Sequence, residues 1–273
     1  MTAKLTGPRV RAAFQRAAEQ DRAALVAYLT FGDPDPATSI DVVAAAARAG
    51  ADVIELGVPF SDPSADGPSI QRAMERALRG GATLARALDA VRRLRARGIA
   101  TPIVLFGYYN PIFAMGVPAF AKACADAGVD AVLTVDLPID ELDELATPLA
   151  ARGVGVVPLV APTSTPDRIA KLAAFTPPFV YYISIAGVTG ARTAASVDPA
   201  RLDHIRAAAS APVAIGFGIR TPDDTARFAA VADGVVVGSA LVDRIATADV
   251  ADEAPARVAE LVRALASATR SVR

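Results

Sequence analysis

The stretch that decides the fold is VIELGVPFSDPSADGPSIQ, residues 53–71. It begins with a short apolar run, residues 53–57, which is typical of a buried strand. Prolines and a glycine punctuate the loop that follows, and a helix is predicted to open near Ser69. A buried strand, a loop and a helix in this order form one unit of an α/β fold with parallel strands.

Three carboxylates lie in this stretch, and one of them is inside the apolar run. Burying Glu55 there is costly unless it has a partner or a function, and burial raises the pKa of a carboxyl. Asp62 and Asp66 follow on the loop. A strand carboxylate close to loop carboxylates suits general acid/base chemistry. Asp66 could instead cap the helix that follows, and the residues alone leave that alternative open.

The same unit repeats along the chain. Eight apolar β runs are each followed by a helix, with no linker or charged block between them. Eight units in about 250 residues predict an α/β fold, a (β/α)8 TIM barrel, with an extra N-terminal helix at residues 9–19 that closes its bottom. One domain is expected over residues 1–273; a doubly wound sheet is the alternative. The predicted strands are residues 24–31, 52–57, 102–106, 130–135, 155–160, 179–183, 212–215 and 234–237, and residues 107–111 are predicted to be a loop after the third strand.

Composition excludes several classes of function. The 28 basic and 29 acidic residues are balanced, which argues against a nucleic-acid surface or a polybasic membrane anchor. No run approaches the roughly 20 apolar residues that a membrane span needs. The single cysteine, Cys124, allows no disulfide within the chain and fits a cytoplasmic location. One cysteine and one histidine, His204, also argue against a metal site.

Glycine-bearing turns follow the last three predicted strands, at residues 187–190, 216–218 and 238–239. Glycine lets backbone N–H groups approach an anion, and a helix beginning at Gly238-Ser239 would add its positive end. Barrels of this class often bind phosphate after strands 7 and 8. A phosphate site is therefore predicted, with Arg192 and Arg220 as secondary candidates. The alternative is that the glycines only permit tight turns.

Schiff-base chemistry is disfavoured because none of the three lysines, Lys4, Lys122 and Lys171, falls at a strand end. Carboxylate acid/base chemistry on a phosphorylated small molecule remains. Tyr181, in the sixth strand, and Asp136, after the fourth, could reach the same mouth of the barrel.

Seven segments resemble the tryptophan synthase α chain family. ELGVPFSDPSADGPSIQ, residues 55–71, is similar to the family's signature. The resemblance implies an α subunit that cleaves indole-3-glycerol phosphate to indole and glyceraldehyde 3-phosphate in tryptophan biosynthesis. This retro-aldol reaction needs no cofactor in this chain. The other segments, in the family's order, are YLTFGDP (28–34), YYNPIF (108–113), DLP (136–138), GVTGAR (187–192), GFGI (216–219) and VVVGSALV (235–242).

The resemblance also implies roles for individual residues. Glu55 would be the general acid/base, Asp66 would face the indole N–H, and the active-site tyrosine Tyr181 would lie near both. The positions implied for binding are Gly190, Gly218, Gly238 and Ser239 around the phosphate, and Phe31 and Phe217 against the indole.

By the same resemblance, the chain docks on a tryptophan synthase β chain that holds pyridoxal phosphate, in an α2β2 heterotetramer. Pro59, Asp62 and Asn110 are interface candidates, and the whole segment 108–113 is expected to belong to the interface. The loops at residues 59–66 and 186–195 are expected to close over substrate. Three alternatives stay open: a free-standing lyase, a non-catalytic activator of a β chain, and another phosphate-binding barrel of the same pathway. The departures from the family pattern are Ser64, Phe179 and Ile185.

Overall fold

The computed structural model describes residues 6–183, 197–216 and 218–270. In these ranges nine parallel strand segments alternate with helices. No helix of the described ranges is long and apolar enough to cross a membrane.

The strands are β1 Ala24–Thr30, β2 Val53–Gly57, β3 Ile103–Gly107, β4 Ala131–Thr134, β5 Gly155–Val156, β6 Leu159–Val160, β7 Val180–Ile183, β8 Val213–Gly216 and β9 Gly234–Val237. The α-helices are α1 Pro8–Glu19, α2 Pro36–Ala49, α3 Pro68–Arg79, α4 Leu84–Ala96, α5 Tyr109–Met115, α6 Val117–Ala127, α7 Asp143–Ala150, α8 Pro166–Ala170, α9 Pro199–Ala209, α10 Pro222–Ala229, α11 Ser239–Ala246 and α12 Ala254–Ala268.

The sheet closes into a barrel at one strand that is interrupted in the middle. β5 pairs with β4, whereas β6 pairs with β7. Between them, the Val157 N–H donates to the Val132 carbonyl at 2.9 Å, and the Pro158 carbonyl accepts from the Tyr181 N–H at 3.0 Å. Proline has no N–H to extend the β4 ladder, so the chain changes partner there. β5 and β6 therefore act as one interrupted strand, and the eight-stranded α/β barrel is confirmed.

Alternate residues of each strand face opposite sides of the barrel wall. In β1, Val26 and Tyr28 pack in the interior, whereas Leu25 and Leu29 pack in the layer beneath the helices. Both layers are buried, which explains why the strands are apolar on both faces.

Helix α1 closes the N-terminal end of the barrel, as predicted. Val10, Ala13 and Phe14 pack in the interior cluster. The ring of Phe14 stacks on that of Phe179, with centroids 5.0 Å apart. Phe179, one of the departures from the family pattern, therefore belongs to the closed end of the barrel.

Three aspartates that each precede a strand tie the closed end together. Each accepts a backbone N–H from the neighbouring strand at 2.8 Å and also pairs with arginine. Asp52 binds the Leu25 N–H and Arg22. Asp130 binds the Ile103 N–H and two arginines, Arg9 and Arg95. Asp233 binds the Val213 N–H and Arg206.

One predicted loop is wrong. Residues 107–111 were expected to be a loop, but α5 begins at Tyr109 and contains Pro111. Proline is tolerated in the first turn of a helix because the N–H groups there have no partner within the helix. The Asp136 carboxylate accepts the Tyr109 N–H at 2.8 Å and holds this end of the helix.

Candidate active site

A cavity of about 270 Å³ opens at the carboxyl ends of the strands. Its size is near the lower end of ordinary ligand sites, which begin at roughly 300 Å³. Six of the predicted site residues line it together, although they come from five separate parts of the chain. They are Glu55, Asp66, Tyr181, Gly218, Gly238 and Ser239.

Glu55 is the deepest charged group of this cavity. It lies in β2, in register with Tyr28 of β1 and Val104 of β3, and is fully buried. Neither of its carboxyl oxygens has a hydrogen-bond partner among the described residues. Burial raises the pKa of Glu55 to about 8. The carboxyl is therefore protonated at neutral pH and can donate a proton.

Asp66 lies above Glu55 on the loop before α3. Its Oδ2 accepts a hydrogen bond from the Tyr108 hydroxyl at 2.7 Å, and that hydroxyl accepts the Ala65 N–H at 3.0 Å. Burial raises the pKa of Asp66 to about 6, although the Tyr108 hydrogen bond opposes the rise. The N-cap of α3 is Gly67, without a side-chain cap, so Asp66 does not cap the helix. At neutral pH it is mostly ionised and can accept a proton.

Two tyrosines, the buried Tyr28 and the half-buried Tyr181, cross over glycines of neighbouring strands inside the cavity. A Cβ on Gly57 would lie 2.3 Å from the Tyr28 hydroxyl, and one on Gly216 would lie 1.9 Å from the Tyr181 hydroxyl. Glycine is therefore required beneath each ring. Burial, together with the charges of the two carboxylates, raises both tyrosine pKa values well above the ordinary value. Both phenols stay neutral and can donate hydrogen bonds.

The opposite side of the cavity is formed by backbone turns. Gly218 has a φ of +73°, a left-handed conformation that favours glycine. Gly238 and Ser239 begin α11, whose first turn has no side-chain cap. Exposed N–H groups at a helix N-terminus attract anions. Gly190, the fourth predicted phosphate residue, lies outside the described residues.

The comparisons with known proteins agree over nearly the whole chain. The family model for the tryptophan synthase alpha chain matches residues 14–270. The tryptophan synthase alpha chain of Phenylobacterium zucineum is 48% identical over 272 residues and covers 98% of both chains. That of Burkholderia thailandensis is 48% identical over 261 residues, covering 95% of this chain and 96% of the other. This chain belongs to the tryptophan synthase alpha chain family.

The solved structures agree with this assignment. A structure of Mycobacterium tuberculosis tryptophan synthase has a TM-score of 0.86 at 38% identity and covers 98% of this chain and 99% of the other. A tryptophan synthase subunit alpha from Legionella pneumophila also has a TM-score of 0.86, at 31% identity, with 98% of this chain and 100% of the other covered. The chain is thus an α subunit, a lyase for indole-3-glycerol phosphate in tryptophan biosynthesis.

Not every residue implied by the family resemblance lies in the cavity. Phe31 is 2% exposed and packs in the outer layer beneath the helices, on the same side as Leu29. The described apolar walls come instead from Tyr28, Phe106 and Leu159, among others. Phe217, its predicted companion against the indole, lies outside the described residues, as do Ile185 and Arg192.

The three interface candidates differ in exposure. Asp62 and Asn110 are exposed, whereas Pro59 is buried. The ring of Phe60 stacks on Tyr108 with centroids 4.8 Å apart, so the start of this loop packs against the chain itself. Ser64, another departure from the family pattern, is exposed on the same loop.

Sequence reasoning missed Tyr28 as a cavity residue and placed Tyr108 only in the interface segment. Both stand in quoted segments, YLTFGDP and YYNPIF. Tyr28 could have been found from strand pairing. It occupies the position of β1 that pairs with Glu55 of β2, and paired residues of adjacent strands face the same side of the sheet. Tyr108 directly follows β3, so its side chain stands at the mouth, where the loop carrying Asp66 also ends.

Proposed function

We propose that this cavity is where indole-3-glycerol phosphate is cleaved, with Glu55 as the general acid/base and Asp66 as the group that serves the indole N–H. The observation that carries the proposal is the pair of carboxyls in one cavity with separated pKa values, about 8 for Glu55 and about 6 for Asp66. Between these values one carboxyl can give a proton while the other can take one. In many enzymes, two neighbouring groups whose pKa values are pushed apart in this way are the general acid and the general base.

In the first stage of the proposed reaction, Glu55 donates its proton to C3 of the indole, and the Asp66 carboxylate takes the proton from N1. The ring becomes an indolenine. In the second stage, the Glu55 carboxylate removes the proton from the hydroxyl on the glycerol carbon joined to C3. The carbon–carbon bond breaks, its electron pair returns to the ring, and N1 recovers its proton from Asp66. Both carboxyls end as they began, and the products are indole and glyceraldehyde 3-phosphate.

The tyrosines of the cavity support this chemistry without exchanging protons. Tyr108 holds Asp66 through the 2.7 Å hydrogen bond and favours its ionised form. Tyr181 and Tyr28 are neutral phenols beside the reacting end, where they can donate hydrogen bonds to the glycerol hydroxyls. Apolar walls, including Phe106 and Leu159, suit a flat aromatic ring.

The phosphate is proposed to bind at the turns of Gly218, Gly238 and Ser239, with Gly190 as a fourth position. The support is the uncapped start of α11 beside Gly218 in the same cavity as Glu55. Backbone N–H groups at a helix N-terminus can bind a phosphate dianion without a lysine.

The family assignment implies a β chain as partner. We propose that this partner holds the pyridoxal phosphate, that this chain needs no cofactor, and that the assembly is an α2β2 heterotetramer in the cytoplasm. Phe113, three residues after Asn110 on α5, is 64% exposed and gives this helix an apolar side chain suited to an interface. The buried Pro59 would shape the loop from within. Of the alternatives, the non-catalytic activator is disfavoured because a fully buried carboxyl with no hydrogen-bond partner in the described part of the chain is a cost that catalysis explains.

The test is indole release from indole-3-glycerol phosphate by the purified chain, with and without a β chain. Glu55→Gln is expected to lower kcat by about 10³-fold, within the range of general acid/base catalysis. Asp66→Asn is expected to lower it by about 10²-fold. The exposed Glu260→Gln is the matched control. Turnover by Glu55→Gln at the rate of the control would disprove the assignment, and equal activity with and without a β chain would favour a free-standing lyase.

A further inference from the structure

We propose that Arg220 binds the phosphate of the substrate together with the turns at Gly218 and Gly238–Ser239, and that it sets the preference for phosphorylated over unphosphorylated substrate. The proposal deepens the proposed function and depends on it for the identity of the ligand. It adds a side-chain cation to a site otherwise made of backbone N–H groups.

The position of Arg220 supports this role. Arg220 lines the cavity beside Gly218, Gly238 and Ser239. The same cavity holds the carboxyl of Glu55, which has no hydrogen-bond partner among the described residues, an independent sign that a ligand completes the site. The backbone of Arg220 is fixed, since its N–H donates to Asp224 Oδ2 at 3.2 Å in the capping box that begins α10. Only the side chain is free to turn.

Arg220 pairs with Asp243 when no substrate is bound, and a phosphate can replace Asp243 as its partner. Its Nη2 donates to Asp243 Oδ2, on α11, at 2.5 Å. The side chains are 54% and 32% exposed, and pairs this exposed to water contribute little to stability. A phosphate dianion offers the same guanidinium a larger charge and several acceptor oxygens in a bidentate geometry. Exchange of the carboxylate for phosphate is therefore favourable.

Asp243 keeps other partners when Arg220 turns away. Burial acts to raise the pKa of Asp243, but hydrogen bonds from Ser69 and Arg220 and the charges of Arg220 and Arg72 outweigh it, so the pKa lies below the ordinary value. Ser69 and Arg72 sit on the first turns of α3, and the Arg72 Nη2 also donates to the Ser69 Oγ at 3.5 Å. Asp243 is therefore stabilised by Arg72 and Ser69 as well as by Arg220.

A purely structural role of Arg220 predicts a different result from a role in phosphate binding. If Arg220 only joined the start of α10 to α11 through Asp243, its loss would lower stability and leave phosphate binding unchanged. The matched control is Arg227→Gln, which removes the same charge from α10. Arg227 pairs with Asp224 at 3.2 Å and is not among the cavity-lining residues.

The experiment compares Arg220→Gln, Arg220→Lys and Arg227→Gln in the full chain. Inorganic phosphate is the probe, by calorimetry and as an inhibitor of cleavage. Arg220→Gln is expected to weaken phosphate binding and raise KM by about tenfold each, with a smaller change in kcat, since a charge-assisted hydrogen bond is lost at a partly exposed site. Arg220→Lys should recover part of the loss, and Arg227→Gln should stay within about twofold of the parent chain. A shift below about twofold for Arg220→Gln, or an equal shift in Arg227→Gln, would overturn the proposal.

Specificity is measured in the reverse direction, by condensing indole with glyceraldehyde 3-phosphate or with glyceraldehyde. Arg220→Gln should lower the preference for the phosphorylated aldehyde by about tenfold, and an unchanged preference would refute the specificity role. Phosphate calorimetry needs no turnover. A parent chain that binds phosphate through Arg220 but cleaves nothing would thus refute the proposed function and leave the phosphate contact standing.

Discussion

The two ends of the barrel treat buried charge in opposite ways. At the closed end Asp130 accepts a backbone N–H and hydrogen bonds from two arginines, Arg9 and Arg95. At the open end Glu55 is equally hidden from water, yet neither of its oxygens has a hydrogen-bond partner among the residues described. The same chemical group is stabilised at one end and left reactive at the other.

The contrast separates what folds the chain from what makes it a catalyst. A buried carboxylate with several donors contributes to stability and has no reason to exchange protons. A buried carboxyl without donors keeps its proton to higher pH and is ready to give it up. Stability is thus sacrificed where chemistry occurs, as is general for active sites.

The largest expected effect on stability lies at the closed end. Asp130→Asn leaves two arginines and one strand N–H without their carboxylate, and the free energy of unfolding should fall by about 3 kcal/mol. Urea denaturation measures this free energy, with Asp126→Asn, at an exposed position of α6, as control. Cleavage by the folded variant should keep the parent rate; a large loss of turnover would break the division between the two ends.

At the open end, removing the carboxylate of Glu55 should raise the free energy of unfolding rather than lower it. The pKa of Glu55 is raised from 4.5 to about 8 in the folded chain, so its contribution to stability is fully present below about pH 4.5 and is lost as the pH rises to about 8. Glu55→Gln removes this loss. At pH 8 and above the variant should be more stable than the parent by on the order of 2 kcal/mol, and the gap should shrink toward acid pH. Urea denaturation across pH tests this, and a variant less stable than its parent at every pH would contradict it.

The pH dependence of cleavage should follow both carboxyls of the mouth. Asp66 must be ionised, so kcat/KM should rise with pH through about 6. Glu55 must be protonated, so kcat/KM should fall through about 8. Outside this window the rate should change by about tenfold per pH unit. A profile measured from pH 5 to 9.5 that is flat on the alkaline side would exclude Glu55 as the proton donor.

The smallest expected effect concerns the hydrogen bond that holds Asp66. Tyr108→Phe removes the donor that favours the ionised carboxylate, so the pKa of Asp66 should rise further and the acid limb of the profile should move to higher pH. We expect kcat/KM at pH 7 to fall by about fivefold, which corresponds to about 1 kcal/mol, the typical net contribution of one hydrogen bond. Tyr182→Phe, on the outer face of β7, is the matched control. An unshifted acid limb would show that Tyr108 does not tune Asp66.

Several details could not be derived from the sequence, for physical reasons. Strands buried on both faces show no polar alternation, so the apolar run that contains Tyr28 and ends beside Phe31 does not reveal which side faces the cavity. The structure places Tyr28 inside and Phe31 outside. The break at Pro158 depends on which neighbour each half of the strand meets, and that is fixed only when the barrel closes.

What the sequence by itself determined was the repeating unit, the eight-fold architecture, the closing helix and the strand carboxylate that needs a purpose. These follow from local rules, because apolar runs, helix breakers and the cost of burying a carboxyl depend on near neighbours in the chain. Only the tertiary structure decided that Asp66 meets Tyr108 and that Arg220 faces the same cavity as Glu55. Those contacts join residues 42 or more positions apart, and only the closed barrel brings them within reach of one substrate.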